Sequence, residues 1–226
     1  MTDRRDRERA EMRDRITAAA RRLFVEEGYA RTTIRAIADA IEYTPGAIYA
    51  YFKDKDAILY ALHQQGFEEL GRRMAQAAVG AADPIDELRR LGAAYLRFAS
   101  DEPELYDLMF IAQSTSRAMQ EDVWPEGGRT FGFLRSVVAR AIDGGWVVGD
   151  DADAVSFLLW SACHGMASLH IRNRCVVFDE AVRDQVEDKA FDQLVACITK
   201  PRPSTARRRR PAPAARPRPR RSGPEL

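Results

Sequence analysis

Apolar residues recur at helical spacing along nearly the whole chain, and this periodicity constrains the fold more than any other feature of the sequence. Near the N-terminus, apolar residues occupy positions i, i+3, i+4, i+7 and i+8 of one helical face: Ile16, Ala19, Ala20, Leu23 and Phe24. No segment alternates convincingly between apolar and polar residues, and the most strand-like run, 175–178, has no partner strand. The sequence therefore predicts an all-α fold.

Capping residues predict two short helices separated by a tight turn. Thr33 stands before the first of them, and Thr44 with Pro45 stands before the second. The amphipathic helix that precedes them completes the arrangement of a helix-turn-helix at 33–52, whose second helix fits the DNA major groove. Generic three-helix domains share this arrangement, so only the residue types can distinguish a DNA-binding helix-turn-helix from them.

The second short helix carries exposed tyrosines and no charge. Ile48 and Phe52 lie four residues apart and should face the core, so Tyr49 and Tyr51 point elsewhere. These two tyrosines either cover the core of their own domain or donate their hydroxyls to DNA phosphates, while small neighbours let base edges approach.

Proline and glycine residues predict the bounds of the later helices. Asp83-Pro84 and Glu102-Pro103 each open a helix, and the Trp-Pro-Glu-Gly-Gly run at 124–128 predicts a loop before a helix at 129–142. The last two helices are predicted at 151–172, which is apolar on almost every side, and at 179–198.

The net charge of +1 conceals an uneven distribution. Residues 200–226 hold ten basic side chains and one acidic one, together with seven of the eleven prolines. This tail is predicted to be disordered and extended. It is either a source of sequence-independent DNA affinity or a tolerated solubilising terminus.

Composition and motifs exclude several classes. No apolar run was found that approaches the roughly 20 residues of a membrane span, and the charged N-terminus lacks a secretory h-region. Three cysteines without CxxC spacing indicate a reducing cytoplasm, and no metal site or cofactor is expected. The absence of HExxH, GxSxG or a phosphate-binding glycine loop argues against the alternative of a helical enzyme.

The segment 12–62 resembles the N-terminal domain of tetracycline-repressor-like (TetR/AcrR) transcriptional regulators. The residues that carry the resemblance most specifically are Ile48, Tyr49, Tyr51, Phe52 and Lys55. The resemblance implies a DNA-binding domain at 10–70, preceded by a charged arm at 1–9. Arg4, Arg5, Arg7 and Arg9 of that arm either contact DNA or form a solvated charge run with their acidic neighbours.

The same resemblance assigns the DNA contacts. Thr33 would bind phosphate, Arg35 a base or a phosphate, and Lys55 a phosphate beside the N-terminus of the fourth helix. The complete predicted set is Thr32, Thr33, Arg35, Tyr43, Thr44, Pro45, Gly46, Ala47, Tyr49, Tyr51 and Lys55. Glu42 occupies the turn position where the family usually has glycine, so we expect this turn to differ in detail.

Two later fragments, 93–113 and 160–169, resemble a subgroup of these regulators with a Trp-His-Gly signature, here Trp160, His164 and Gly165. The resemblance implies a helical effector-binding and dimerisation domain at 71–199. It also implies a homodimer formed through the last two helices, bound to palindromic double-stranded DNA.

The effector site is predicted from aromatic and polar residues of this domain, each of which could instead simply pack in the core. The candidates are Tyr95, Met109, Phe110, Phe133, Trp160 and His164. No charged residue stands out among them, so an apolar or amphipathic small molecule is expected.

Together these features predict a cytoplasmic, dimeric repressor that a small molecule releases from its operator. A non-specific architectural DNA binder driven by the tail is the alternative.

Overall fold

A computed structural model describes residues 2–111 and 125–201, and within these residues it contains helices and no strand. The all-α prediction is confirmed, since the only β feature described is an isolated bridge between Val147 and Thr199. The helices are α1 (Thr2–Glu26), α2 (Ile34–Ala40), α3 (Pro45–Tyr49), α4 (Lys55–Ala78), α5 (Pro84–Asp101), α6 (Pro103–Tyr106), α7 (Pro125–Asp143), α8 (Ala152–Ile171) and α9 (Glu180–Ile198). A π-helical turn, Asp107–Ile111, follows α6 directly.

Helices α1–α3 form a three-helix unit, here called the reading head. Side-chain caps set the starts of α2 and α3. The hydroxyl of Thr33 accepts a hydrogen bond from Ala36 N at 3.1 Å, and that of Thr44 accepts one from Ala47 N at 3.3 Å. Both predicted N-caps are therefore confirmed. They satisfy backbone donors that the first turn of a helix leaves unpaired.

Helices α5–α9 form the body, and α4 joins it to the reading head. Helix α5 lies at the centre of the body, in contact with α4, α7, α8 and α9. Its inward face is buried along its length, through Leu88, Leu91, Tyr95 and Phe98. The two units thus share one continuous apolar core.

The predicted start of one helix was wrong. Helix α7 begins at Pro125, so Gly127 and Gly128 lie within it, because a proline at the first helical position starts a helix and outweighs the two glycines. The segment 2–9 is helical and continuous with α1. An i,i+4 ion pair between Arg4 and Glu8, 2.8 Å long, supports this first part of α1. The predicted disorder of 202–226 falls outside the described residues.

Helix α8 is long and apolar enough, with a mean hydropathy of 1.3, to cross a membrane by length and composition alone. This corrects the sequence reading that no run approached that length. A single helix of this kind is weak evidence, because the core helix of a soluble protein passes the same test. Here Leu159, Cys163 and Ala167 of α8 are buried in the body.

His63 of α4 couples the stability of this core to pH. Its ring is buried, with Nε2 3.1 Å from Leu108 O, and burial lowers its pKa from 6.5 to about 4. Below pH 6.5 the unfolded chain therefore takes up a proton that the folded chain refuses, so the free energy of unfolding falls as the pH drops towards 4.

We expect His63→Gln to flatten this pH dependence, because glutamine can donate to Leu108 O but does not titrate. Between pH 7.5 and pH 5, wild type should lose about 2 kcal/mol more unfolding free energy than the variant, measured by urea denaturation. Equal losses in the two proteins would contradict the assignment.

Candidate DNA-binding surface and effector cavity

The turn between α2 and α3 is a regular helix end despite the glutamate at its critical position. Tyr43 N donates to Ala38 O at 2.9 Å and Glu42 N donates to Asp39 O at 3.2 Å, which is the Schellman pattern. Glu42 has a φ of 61°, the left-handed conformation that glycine adopts without strain. The turn keeps its geometry, and the backbone strain falls on Glu42 itself.

Helix α3 buries one face and presents the other to solvent. Ile48 and Phe52 are buried against the core of the reading head, whereas the side chain of Tyr49 is 56% exposed and Tyr43 is also exposed. Around these tyrosines the helix surface is made of small residues: Thr44, Pro45, Gly46 and Ala47. A surface of this shape permits close approach of a flat partner such as a base-pair edge.

Three arginines of α1 contact aromatic rings in and beside α3. Arg13 donates from Nη1 to Tyr51 O at 2.8 Å, and its guanidinium lies 4.1 Å from the ring centroid of Phe52. Arg9 lies 5.5 Å from the ring centroid of Tyr51, and Arg15 lies 5.3 Å from that of Tyr43. Cation–π contacts of this kind hold the aromatic rings in place. Sequence reasoning missed Arg13 and Arg15, which belong to an alternating charge run.

Arg35 of α2 is available for a contact outside the protein. Its side chain is highly exposed, with one weak ion pair to Asp39 at 3.9 Å. Such an exposed i,i+4 pair contributes little and is readily exchanged for another partner.

Two of the predicted DNA contacts, Thr32 and Lys55, make hydrogen bonds within the fold. Thr32 is 1% exposed, and its hydroxyl is within hydrogen-bonding distance of both Leu23 O and Gly28 O. The ammonium of Lys55 donates to Tyr29 O at 2.5 Å and to Thr32 O at 2.9 Å. Burial lowers the pKa of Lys55. We therefore leave Thr32 and Lys55 out of the proposed DNA surface.

A cavity of about 470 Å³ lies within the body, between α4, α5, the π turn, α7, α8 and α9. Its described lining contains no charged side chain. The predicted effector residues that line it are Tyr95, Met109, Phe110, Trp160 and His164. A volume in this range suits a drug-sized molecule.

Phe133 does not line this cavity. It contacts a separate groove beside Gly71 and Thr130, while Phe131 and Leu134 take the lining positions on α7. Residue 133 lies about 200° around the helix from residue 131, so it faces away. The prediction that Phe133 lines the cavity was wrong, because this residue lies on another face of α7.

A hydrogen-bonded chain connects two lining residues of the cavity, Tyr95 and His164, through Tyr106. The hydroxyls of Tyr95 and Tyr106 are 2.9 Å apart, and the hydroxyl of Tyr106 is 2.8 Å from His164 Nδ1. Burial raises the pKa of both tyrosines and lowers that of His164. All three groups are therefore neutral near pH 7.

Comparison with known families decides the identity of this architecture. The profile described as bacterial regulatory proteins, tetR family, matches residues 16–62, and that described as tetracyclin repressor-like, C-terminal domain, matches residues 88–198. The chain belongs to the TetR family.

Relatives of this TetR-family chain are transcriptional regulators. It is 26% identical over 161 residues to the HTH-type transcriptional regulator HbdR of Aromatoleum sp., covering 71% of this chain and 70% of HbdR. It is 37% identical over 95 residues to the HTH-type transcriptional regulator TtgR of Pseudomonas putida, covering 40% and 44% of the two chains. The protein is thus a DNA-binding transcriptional regulator.

A solved regulator structure has the same fold as this chain. The structure of the fatty acid degradation regulator FadR from Bacillus halodurans superposes with a TM-score of 0.68 at 18% identity, over 81% of this chain and 93% of FadR. The TetR family consists of soluble DNA-binding proteins. The assignment to a Trp-His-Gly subgroup stays a prediction.

Tyr106 was missed by sequence reasoning, although it is the central member of the hydrogen-bonded chain in this TetR-family body. Its partners lie 11 and 58 residues away in sequence. No local pattern distinguishes such a tyrosine from an ordinary core residue.

Replacement of Lys55 should test the structural role of its ammonium. We expect Lys55→Met to lower the unfolding free energy by about 2 kcal/mol, since two backbone carbonyls lose a charged donor. Lys53→Met, at a side chain that is 82% exposed, is the matched control and should cost little. Equal stability of the two variants in urea denaturation would refute this role for Lys55.

Proposed function

We propose that this TetR-family regulator is a cytoplasmic homodimeric repressor that binds a palindromic operator through α3 and leaves it when a small molecule fills the cavity. The observation that carries the proposal is the combination of an uncharged, tyrosine-bearing reading helix with an apolar cavity in the same chain. Each of its three parts rests on separate contacts.

The reading head supports specific binding, because its charge is too balanced for bulk attraction. Residues 1–60 hold twelve basic and eleven acidic side chains. Recognition then rests on a few placed groups. We assign phosphate contacts to the hydroxyls of Thr33, Tyr43, Tyr49 and Tyr51 and to Arg35, and base-edge contacts to Thr44, Gly46 and Ala47, beside Pro45.

Dimerisation is supported by a second apolar face on α8, opposite the buried one. Ala154, Leu158, Ser161 and Leu169 are exposed and follow one another at spacings of four, three and eight residues, which keeps them on one side of the helix. Gly165 lies on this side with open space around its Cα. A face of small and apolar residues is suited to pack closely against its own copy.

Helix α6 offers a route from the cavity to the reading head. Arg21 of α1 pairs with Glu102 at 2.9 Å and with Glu104 at 3.2 Å, while Tyr106 of the same helix joins the hydrogen-bonded chain of the cavity. A molecule that binds the two positions of α6 with different affinity would shift the spacing of the two reading heads in the dimer.

The DNA surface is tested by Tyr49→Phe, which removes one hydroxyl and leaves the ring. We expect about tenfold to a hundredfold weaker operator binding, the effect of one hydrogen bond to a charged phosphate. The measurement is a mobility shift at fixed salt with genomic fragments that wild type retains. Tyr60→Phe, at a partly exposed tyrosine of α4, is the matched control and should bind like wild type.

Unchanged affinity of Tyr49→Phe and of Tyr49→Ala would overturn the assigned surface. Retention of no genomic fragment by the wild-type protein at low salt would overturn operator binding as a whole.

The dimer face is tested by Leu158→Arg. A cation at this position should be buried unpaired against the partner, so we expect the molar mass from light scattering to fall from two chains to one. Val79→Arg, at a 76% exposed residue after α4, should remain dimeric. A wild-type protein of single-chain mass would contradict the proposal.

A further inference from the structure

The few polar groups that line the cavity limit the class of ligand that can bind there. We propose that it takes an uncharged, largely apolar molecule bearing one hydrogen-bond acceptor such as a carbonyl oxygen, and that His164 donates to this acceptor through Nε2–H. The inference deepens the proposed effector site and rests on it.

The lining offers few polar groups. Besides Tyr95 and His164, the described lining has the hydroxyl of Thr130, which donates to Glu126 O at 3.1 Å, and the thiol of Cys163, a weak donor. It also has the indole N–H of Trp160, which hydrogen-bonds to the hydroxyl of Tyr95. With no charged side chain in the described lining, a charged ligand would lose its hydration without compensation. An uncharged ligand avoids this cost.

The hydrogen-bonded chain has a direction that follows from counting its protons. If Tyr95 donates to Tyr106 and Tyr106 donates to His164 Nδ1, both hydroxyl protons are used. In the reverse direction the hydroxyl oxygen of Tyr95 would accept from Tyr106 as well as from the indole N–H of Trp160, and its own proton would have no acceptor among the described protein groups. The proposal takes the forward direction, in which each hydroxyl proton has an acceptor within the protein.

This direction fixes the tautomer of His164. A neutral imidazole whose Nδ1 accepts a hydrogen bond carries its proton on Nε2. Among the described residues no hydrogen bond to Nε2 is formed, and this atom is not among the buried polar atoms that lack a partner. His164 lines the cavity, so its Nε2–H can donate to a ligand there, whereas the indole N–H of Trp160 is engaged with the hydroxyl of Tyr95.

The walls around this donor are aromatic. Phe110 packs edge-on against His164 with ring centroids 5.4 Å apart and against Phe67 at the same separation. Phe131 packs edge-on against Trp160 at 6.1 Å. Such rings pack well against a flat aromatic ligand. The acceptor of that ligand would lie beside His164.

Three naphthalenes of similar size separate the contributions of acceptor and charge: 2-acetylnaphthalene, 2-ethylnaphthalene and 2-naphthoate. We expect the full-length protein to bind the ketone about tenfold more tightly than the hydrocarbon and to bind the carboxylate most weakly, measured by calorimetric titration. Equal affinity for ketone and hydrocarbon, the tightest binding for the carboxylate, or no binding of any of the three would overturn the inference.

His164→Phe removes the donor and keeps a ring in place. The preference for ketone over hydrocarbon should then disappear, and because it is a ratio within one protein, a general change in cavity shape cancels. Tyr106→Phe keeps His164 but releases its tautomer, so the ratio should fall only in part. An unchanged ratio in His164→Phe would overturn the assignment of Nε2.

The same titrations distinguish this inference from the proposed repressor function. If the ketone binds selectively but saturating ketone leaves the DNA mobility shift unchanged, then effector-induced release fails while the ligand chemistry stands. If DNA is released by a ligand that His164→Phe binds equally well, then release stands and the role of His164 fails.

Discussion

The buried hydroxyl of Tyr106 is the constraint on which the arrangement of this TetR-family protein depends. Tyr106 is 0% exposed, so its hydroxyl has to find partners inside the protein, and it finds them on α5 and α8. The short helix α6 that carries it is also held from outside, by Arg21 of α1 at its start and by an ion pair of Asp107 with Arg172 just after its end. One helix of four residues thereby connects the cavity with the reading head.

Local signals predicted the reading head well, because its structure is set by neighbours in sequence. Thr33 and Thr44 were recognisable as caps since a cap bonds to a backbone N–H three residues away. Glu42 stood out as an unusual residue for its turn, and its positive φ shows why glycine is favoured there. The predicted start of α7 was wrong because the two glycines that follow Pro125 are typical of a loop.

Roles that depend on partners far away in the sequence could not be predicted from the sequence. The ammonium of Lys55 donates to carbonyls 26 and 23 residues away, and the family resemblance, which implies a phosphate contact, gave no sign of this structural contact. Phe133 was chosen by residue type, but the phase of α7 turns Phe131 towards the cavity instead. The chain from Tyr95 through Tyr106 to His164 required the packed positions of three helices.

The near-neutral reading head makes geometry, rather than charge, the basis of recognition. Arg13 is engaged with Tyr51 O and with the ring of Phe52, so part of the basic charge positions the aromatic residues instead of meeting phosphate directly. The basic tail is the only region with a large excess of positive charge, which leaves non-specific binding driven by the tail as the competing account.

Selection of bound fragments from a random DNA pool separates the two accounts most directly, with the full chain and with a chain ending at residue 201 assayed at the same salt. A dimer that reads DNA through α3 should enrich one inverted repeat, with half-sites about one helical turn apart or a multiple of it, in both proteins. Enrichment of no motif, or loss of the motif when the tail is removed, would contradict the account.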